Sequence, residues 1–185
     1  MNELAKPPTW SEPGYTATEL RDVQEKWRLR FPPDLVDFLR QRRPFRVGEG
    51  FFDWINSPDH EIRQLLSWPV NGIRFDVENN GVWWPDWGPK PASAAKQTDK
   101  LKEILRSVPR LIPVFGRRYL PADPCEAGNP VLSVYQTDVV CYGQNLEDWL
   151  RIEFGDGEPL KGPPIKEIPF WSDAVRHNEA RQNGK

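Results

Sequence analysis

The sequence predicts an α+β fold, a single domain in which an antiparallel β-meander packs against several α-helices. Three observations predict it. Apolar residues recur at helical spacing in most of the chain before residue 110, the period changes to two between Leu111 and Tyr142, and no β-α-β alternation separates the strands. At 185 residues the chain is long enough for one well-buried core and short for two.

The first helix lies in "TATELRDVQEKWRLRF", where Thr16 and Glu19 have capping-box spacing and Leu20, Val23 and Trp27 recur at i, i+3 and i+7. In "FPPDLVDFLRQRRP", Pro33 suits a first turn, Asp34 favours the positive end of the helix dipole, and Leu35, Phe38 and Leu39 form a stripe that Pro44 stops. "SPDHEIRQLLSW" starts a third helix with Ser57, Pro58 and Glu61 and buries Ile62, Leu65 and Leu66. "IRFDVENN" then alternates, with Ile73, Phe75 and Val77 inward and Arg74, Asp76 and Glu78 outward, and reads as a strand closed by an Asn79-Asn80-Gly81 turn. A fourth helix, "ASAAKQTDKLKEILRSV", carries Leu101, Ile104, Leu105 and Val108 before Pro109 breaks it.

Four short segments rich in Val, Ile, Leu and Tyr follow, "RLIPVFG", "RRYLPA", "NPVLSVYQ" and "DVVCYG", separated by Gly, Pro, Asn and Asp as in a meander. Helices around Trp27, Leu39 and Leu105 are expected to cover one face of that sheet. "NLEDWLRIEFG" returns to helix, with Asn145 as cap and Leu146, Trp149 and Leu150 inward. The chain divides into a tail over 1–15, a domain over 16–155, and a Pro-rich extension over 156–185 that ends in a short, fraying helix capped by Ser172.

Composition excludes several function classes. The chain is 38% hydrophobic and 28% charged, an ordinary globular balance, and no stretch approaches the ~18 apolar residues of a membrane span. The opening "MNELAKPPTWSEPGY" is acidic and broken by proline, which predicts no export signal. Cys125 and Cys141 fit neither a disulfide framework nor a zinc-type pair, so buried thiols and a cytoplasmic location are expected. A formal charge of −2 gives no general attraction to nucleic acid or membranes, and the basic run Arg40, Arg42, Arg43 and Arg46 reads as a solvated helix end. His60 and His177 are far apart in sequence, so neither a metal site nor any cofactor is expected. The motifs of serine hydrolases, P-loop proteins, zinc proteases and dinucleotide-binding folds are absent.

Two stretches remain as candidate binding surfaces. "GVWWPDWG" concentrates Trp83, Trp84 and Trp87 around Pro85 and Asp86. Three exposed indoles would offer roughly 450–750 Å² of mostly apolar area, more than a soluble monomer ordinarily leaves uncovered. The cluster is therefore core, or it anchors a partner. In the second reading Trp83 and Trp84 point to opposite faces and Asp86 turns Trp87 back to the surface. "RRYLPADPCEAG" offers Arg117 and Arg118 as forked donors, Tyr119 beside them, and Asp123 and Glu126 as acceptors. A paired-carboxylate hydrolase using Asp76, Glu78 and Asp86 is the weaker catalytic alternative, with the aromatic rings stacking on sugars.

The early amphipathic helix, "PPDLVDFL", "LIPVFGRRYL" and "NPVLSVYQTDVVCYGQNLEDWL" together resemble the SUKH superfamily over residues 16 to 155. That superfamily includes fungal cell-wall assembly regulators and many bacterial proteins. Its members often carry an Asn-Gly-Gly turn after the second helix, whereas this chain runs "RRPFRVGEG", with Gly48 and Gly50 in that region. The resemblance implies a non-catalytic scaffold that binds other proteins, typically an immunity protein neutralising a toxin, and it brings no catalytic residues. Trp83, Trp84, Asp86, Trp87, Arg117, Arg118, Tyr119 and Glu126 are the expected partner-binding residues. The alternative expectation is a carbohydrate-binding or carbohydrate-processing domain built on the Trp83–Trp87 cluster.

Overall fold

Local signals in the chain set where its helices begin. In a computed structural model, which describes residues 10–11, 13–44, 50–155, 157 and 164–183, α1 (Ala17–Trp27) starts at Thr16. The Thr16 hydroxyl accepts from the Glu19 N–H at 3.1 Å, and Glu19 accepts from the Thr16 N–H at 2.7 Å. The reciprocal pair satisfies donors that a helix start leaves open. At the other end, Arg110 donates to the carbonyls of Trp27 and Arg28. α2 (Pro33–Gln41) opens on Pro33 as expected. Arg46 and Gly48 lie outside the described residues.

Part of the expected tail belongs to the fold. β1 (Trp10–Ser11) pairs antiparallel with β2 (Arg43–Pro44), and Tyr15 is buried with its N–H on the Leu39 carbonyl at 2.8 Å.

α3 (Asp59–Asn79) is longer than the sequence reading allowed, and the stretch expected as a strand is its second half. On a helix, Ile73 and Val77 share one buried face one turn apart, and Phe75 turns outward with 48% of its surface exposed. Asp76, expected in solvent, is buried, where its carboxylate accepts from the Thr137 N–H and hydroxyl and from the Asn80 amide. Ile73 and Val77 fit either period, and the long-range bonds from Thr137 to Asp76 favour the helix.

Pro69 lies in mid-helix, where a proline ordinarily breaks or kinks the backbone ladder. A proline cannot donate to the carbonyl four residues earlier, which here is Leu65. The Tyr119 hydroxyl donates to that carbonyl at 3.1 Å instead. The helix is thus mended from the sheet.

After α4 (Ala94–Leu105) come β3 (Leu111–Phe115), β4 (Arg118–Pro121), β5 (Val131–Tyr135) and β6 (Asp138–Gly143), antiparallel and adjacent in chain order. The meander and the α+β class are as the sequence predicts. Coverage differs, because helices pack on both faces of the sheet. Ile112, Leu120 and Val131 join a cluster with Leu20, Trp27, Leu39, Ile62 and Trp149, the last from α5 (Leu146–Phe154). Leu111, Tyr119, Leu132, Val134 and Val139 join a second cluster with Ile73, Val77, Trp84, Trp87 and Leu101. Strand residues alternate between the two, and both sets are apolar.

The extension closes the second cluster. α6 (Trp171–Asn183) buries Trp171 and Ala174 there, and the Trp171 indole donates to the Pro109 carbonyl at 2.8 Å. Ser172, expected as the cap, is the second residue of this helix and accepts from the Ile168 N–H at 2.8 Å. Asn178 is buried and ties α6 to β6 through Asp138 and the Val139 carbonyl. The final two residues, where fraying was expected, lie outside the described part of the chain.

Candidate protein-binding surface

The tryptophan cluster faces inward. Pro85–Trp87 form one turn of 3-10 helix, and Trp84 and Trp87 are only 7% and 8% exposed. Their rings lie 4.7 Å apart, and Phe170 stacks on Trp87 at 6.4 Å from the lead-in to α6. Trp83 is half-buried and edge-on to Trp87, with its indole N–H on the Gly88 carbonyl at 2.9 Å. Asp86 is exposed and pairs at 2.8 Å with His177, whose imidazole stacks on Trp84. Trp87 is not returned to the surface as the turn reading expected, because α6 covers that position.

The expected arginine platform is split by the pleat. Arg118 turns to one face, where it meets Glu153 and the Ser133 hydroxyl at 2.9 Å each and lies 3.6 Å over the Tyr142 ring. Tyr119 turns to the other face and is 1% exposed, so burial holds its phenol well above the ordinary range. Glu126 lies past the far end of β4 and pairs with Lys166 at 3.3 Å. Arg117 alone stays at an open edge, its guanidinium 4.2 Å over the exposed ring of Tyr135.

Arg117 leads to a surface that the sequence reading missed. One stripe of α3, running through Glu61, Gln64, Leu65, Trp68, Gly72 and Phe75, forms the wall of two adjoining hollows. The first, of about 330 Å³, is completed by Gly50, Phe51, Phe52 and the β3–β4 hairpin at Gly116 and Arg117. The second, of about 210 Å³, is completed by Tyr135 and Gln136 at the β5–β6 hairpin. Trp68 lines both and lies 6.3 Å from the Tyr135 ring. Phe75 and Tyr135 are 48% and 41% exposed. The helix sits close to the hairpin because residue 72 is glycine, where a Cβ would stand 2.8 Å from the Gln136 Cα. Ending the helix at Trp68 and assigning a strand to residues 73–78 cuts Gly72 and Phe75 from this stripe, and the hairpins that complete both hollows are distant in sequence.

The arrangement offers apolar rings, one guanidinium and one carboxylate on a floor fixed by buried hydrogen bonds. Among the described residues, neither Arg117 nor Glu61 has a salt-bridge partner. None of the carboxylates considered for hydrolysis lines either hollow: Asp76 is buried on Thr137, Asp86 is held by His177, and Glu78 is exposed on α3. Among the described residues no group of three His, Cys, Asp or Glu side chains could hold a metal ion, and no helix is long and apolar enough to cross a membrane. Cys125 and Cys141 are unpaired and half-buried, and burial raises the Cys141 thiol above its ordinary value. No protein-family model, curated protein or solved structure matches the chain.

Proposed function

We propose that the protein is a non-catalytic binding module that engages another protein through the α3–hairpin groove, and that it serves as a cytoplasmic immunity protein occluding a toxin domain. The observation that carries the reading is the row of accessible rings, Phe75, Trp68 and Tyr135, with Arg117 laid on the last of them. Tryptophan, tyrosine and arginine are the residues on which interface energy most often concentrates. The groove wall is rigid, since Asp76 and Tyr119 tie α3 to the sheet, and a preformed surface loses little entropy on association. The toxin partner follows from the SUKH resemblance over residues 16 to 155. A carbohydrate site on Trp83–Trp87 has less support, because Trp84 and Trp87 keep their faces in the core.

An antitoxin gene usually lies directly downstream of its toxin gene, so the partner to test is the toxin domain of the protein encoded immediately upstream. Calorimetric titration should give a tight one-to-one complex. The double variant Phe75→Ala, Tyr135→Ala should weaken it more than about tenfold, a loss of ~1.4 kcal/mol, with the melting temperature unchanged. No binding, or equal affinity for the double variant, would contradict the reading.

A further inference from the structure

We infer that the groove receives an extended segment of the partner, about six residues long, with an apolar side chain in the hollow between Phe51 and Trp68 and an acidic side chain on Arg117. The inference rests on the protein-binding reading above and specifies what is bound.

Length comes from the helix. Glu61 and Phe75 lie fourteen helical steps apart along one face, about 21 Å at the helical rise. An extended chain covers that distance in roughly six residues.

Charge selects the occupant. Arg118 is bonded to Glu153, Arg43 to Asp53 and Arg176 to Glu167, each with N···O at 2.9 Å or less. Arg117, by contrast, has a ring beneath it at 4.2 Å and no carboxylate among the described residues. A guanidinium fixed over a ring keeps its forked donors pointed outward, which suits a carboxylate. Glu61 lines the same hollow from the start of α3, also without a counter-charge among the described residues. The groove therefore has a cationic wall on the hairpin and an anionic wall on the helix, with rings between. That pattern favours an apolar residue flanked by an acidic one and disfavours a purely basic or purely apolar segment.

The test selects a phage-displayed library of random twelve-residue peptides on the immobilised full-length protein and on Arg117→Glu. Arg117 is exposed, so this variant should melt as the wild type does, and Arg117→Gln serves as a second variant without charge reversal. Wild type should enrich peptides with Trp, Phe or Leu within two positions of Asp or Glu. Arg117→Glu should lose these by more than tenfold and enrich Lys or Arg instead. The same peptides on both proteins, or no enrichment on either, overturns the inference. A dimer in sedimentation that Arg117→Glu dissolves also overturns it and assigns the groove to a second copy of the chain. The two claims fail separately. If the upstream-encoded domain binds Arg117→Glu as tightly as wild type, the groove inference falls and the protein-binding function stands. If that domain does not bind wild type while the peptides are selected as described, the proposed function falls and the specificity of the groove stands.

Discussion

A proline inside a helix leaves one carbonyl without its donor, and in α3 a tyrosine from the sheet fills the place. The Tyr119 hydroxyl on the Leu65 carbonyl lies beneath the groove, so it stiffens the proposed binding wall as well as the helix. Tyr119→Phe removes only that oxygen and strands a carbonyl, which should cost about 1–3 kcal/mol in urea melts. A loss below about 0.5 kcal/mol would mean that solvent or helix relaxation serves Leu65 equally well. A second residue, Asp53, links the segment after α2 to the core. Burial alone would raise its carboxyl, but the Arg43 guanidinium and the N–H groups of Ile55 and Asn56 outweigh burial and hold it below the ordinary 3.8. A depressed folded value means that the stabilisation is present above the unfolded value and is lost as pH falls through the folded one. Wild type and Asp53→Asn should therefore differ most in stability near neutral pH and converge below about pH 4. A gap that stays constant from pH 7 to pH 3 would remove Asp53 from the acid response.

Among the elements, those with caps or plain periodicity were legible and those defined by partners were not. Thr16, Pro33 and Asn145 mark their helix starts by side-chain or ring chemistry that needs nothing distant. The meander was legible because short β-branched runs alternate with turn residues. α6 was underestimated, although Trp171, Ala174 and Asn178 recur at i, i+3 and i+7, because the third of these is polar and its partners, Asp138 and Val139, are distant in sequence. The tryptophan cluster was left between core and surface for the same reason, since only the packing of α6 decides it. Trp87→Ala should accordingly cost roughly 3–5 kcal/mol, like any large core truncation, and should weaken partner binding only through unfolding. A variant with an unchanged melting temperature and lost binding would restore the cluster as the interface.

For the whole molecule, helices pack on both faces of a four-stranded meander, and exposed rings meet Arg117 along the outer stripe of α3. The class of fold was legible in periodicity alone, whereas the candidate surface depends on four segments, residues 50–52, α3 and the two hairpin tips, that only the tertiary fold brings together. Of the eight residues expected to bind a partner, only Arg117 lines that surface in the open; Tyr119 lies beneath it, and the others are packed or paired elsewhere. The proposed function thus requires that this groove, and not the tryptophan turn, meets the partner. Hydrogen exchange of the full chain with and without the upstream-encoded domain tests it most directly. Binding through the groove should slow exchange only in residues 50–52, 61–75, 116–117 and 135–136, with residues 81–88 unchanged. Protection centred on residues 81–88, with the α3 stripe and the two hairpin tips unaffected, would contradict it.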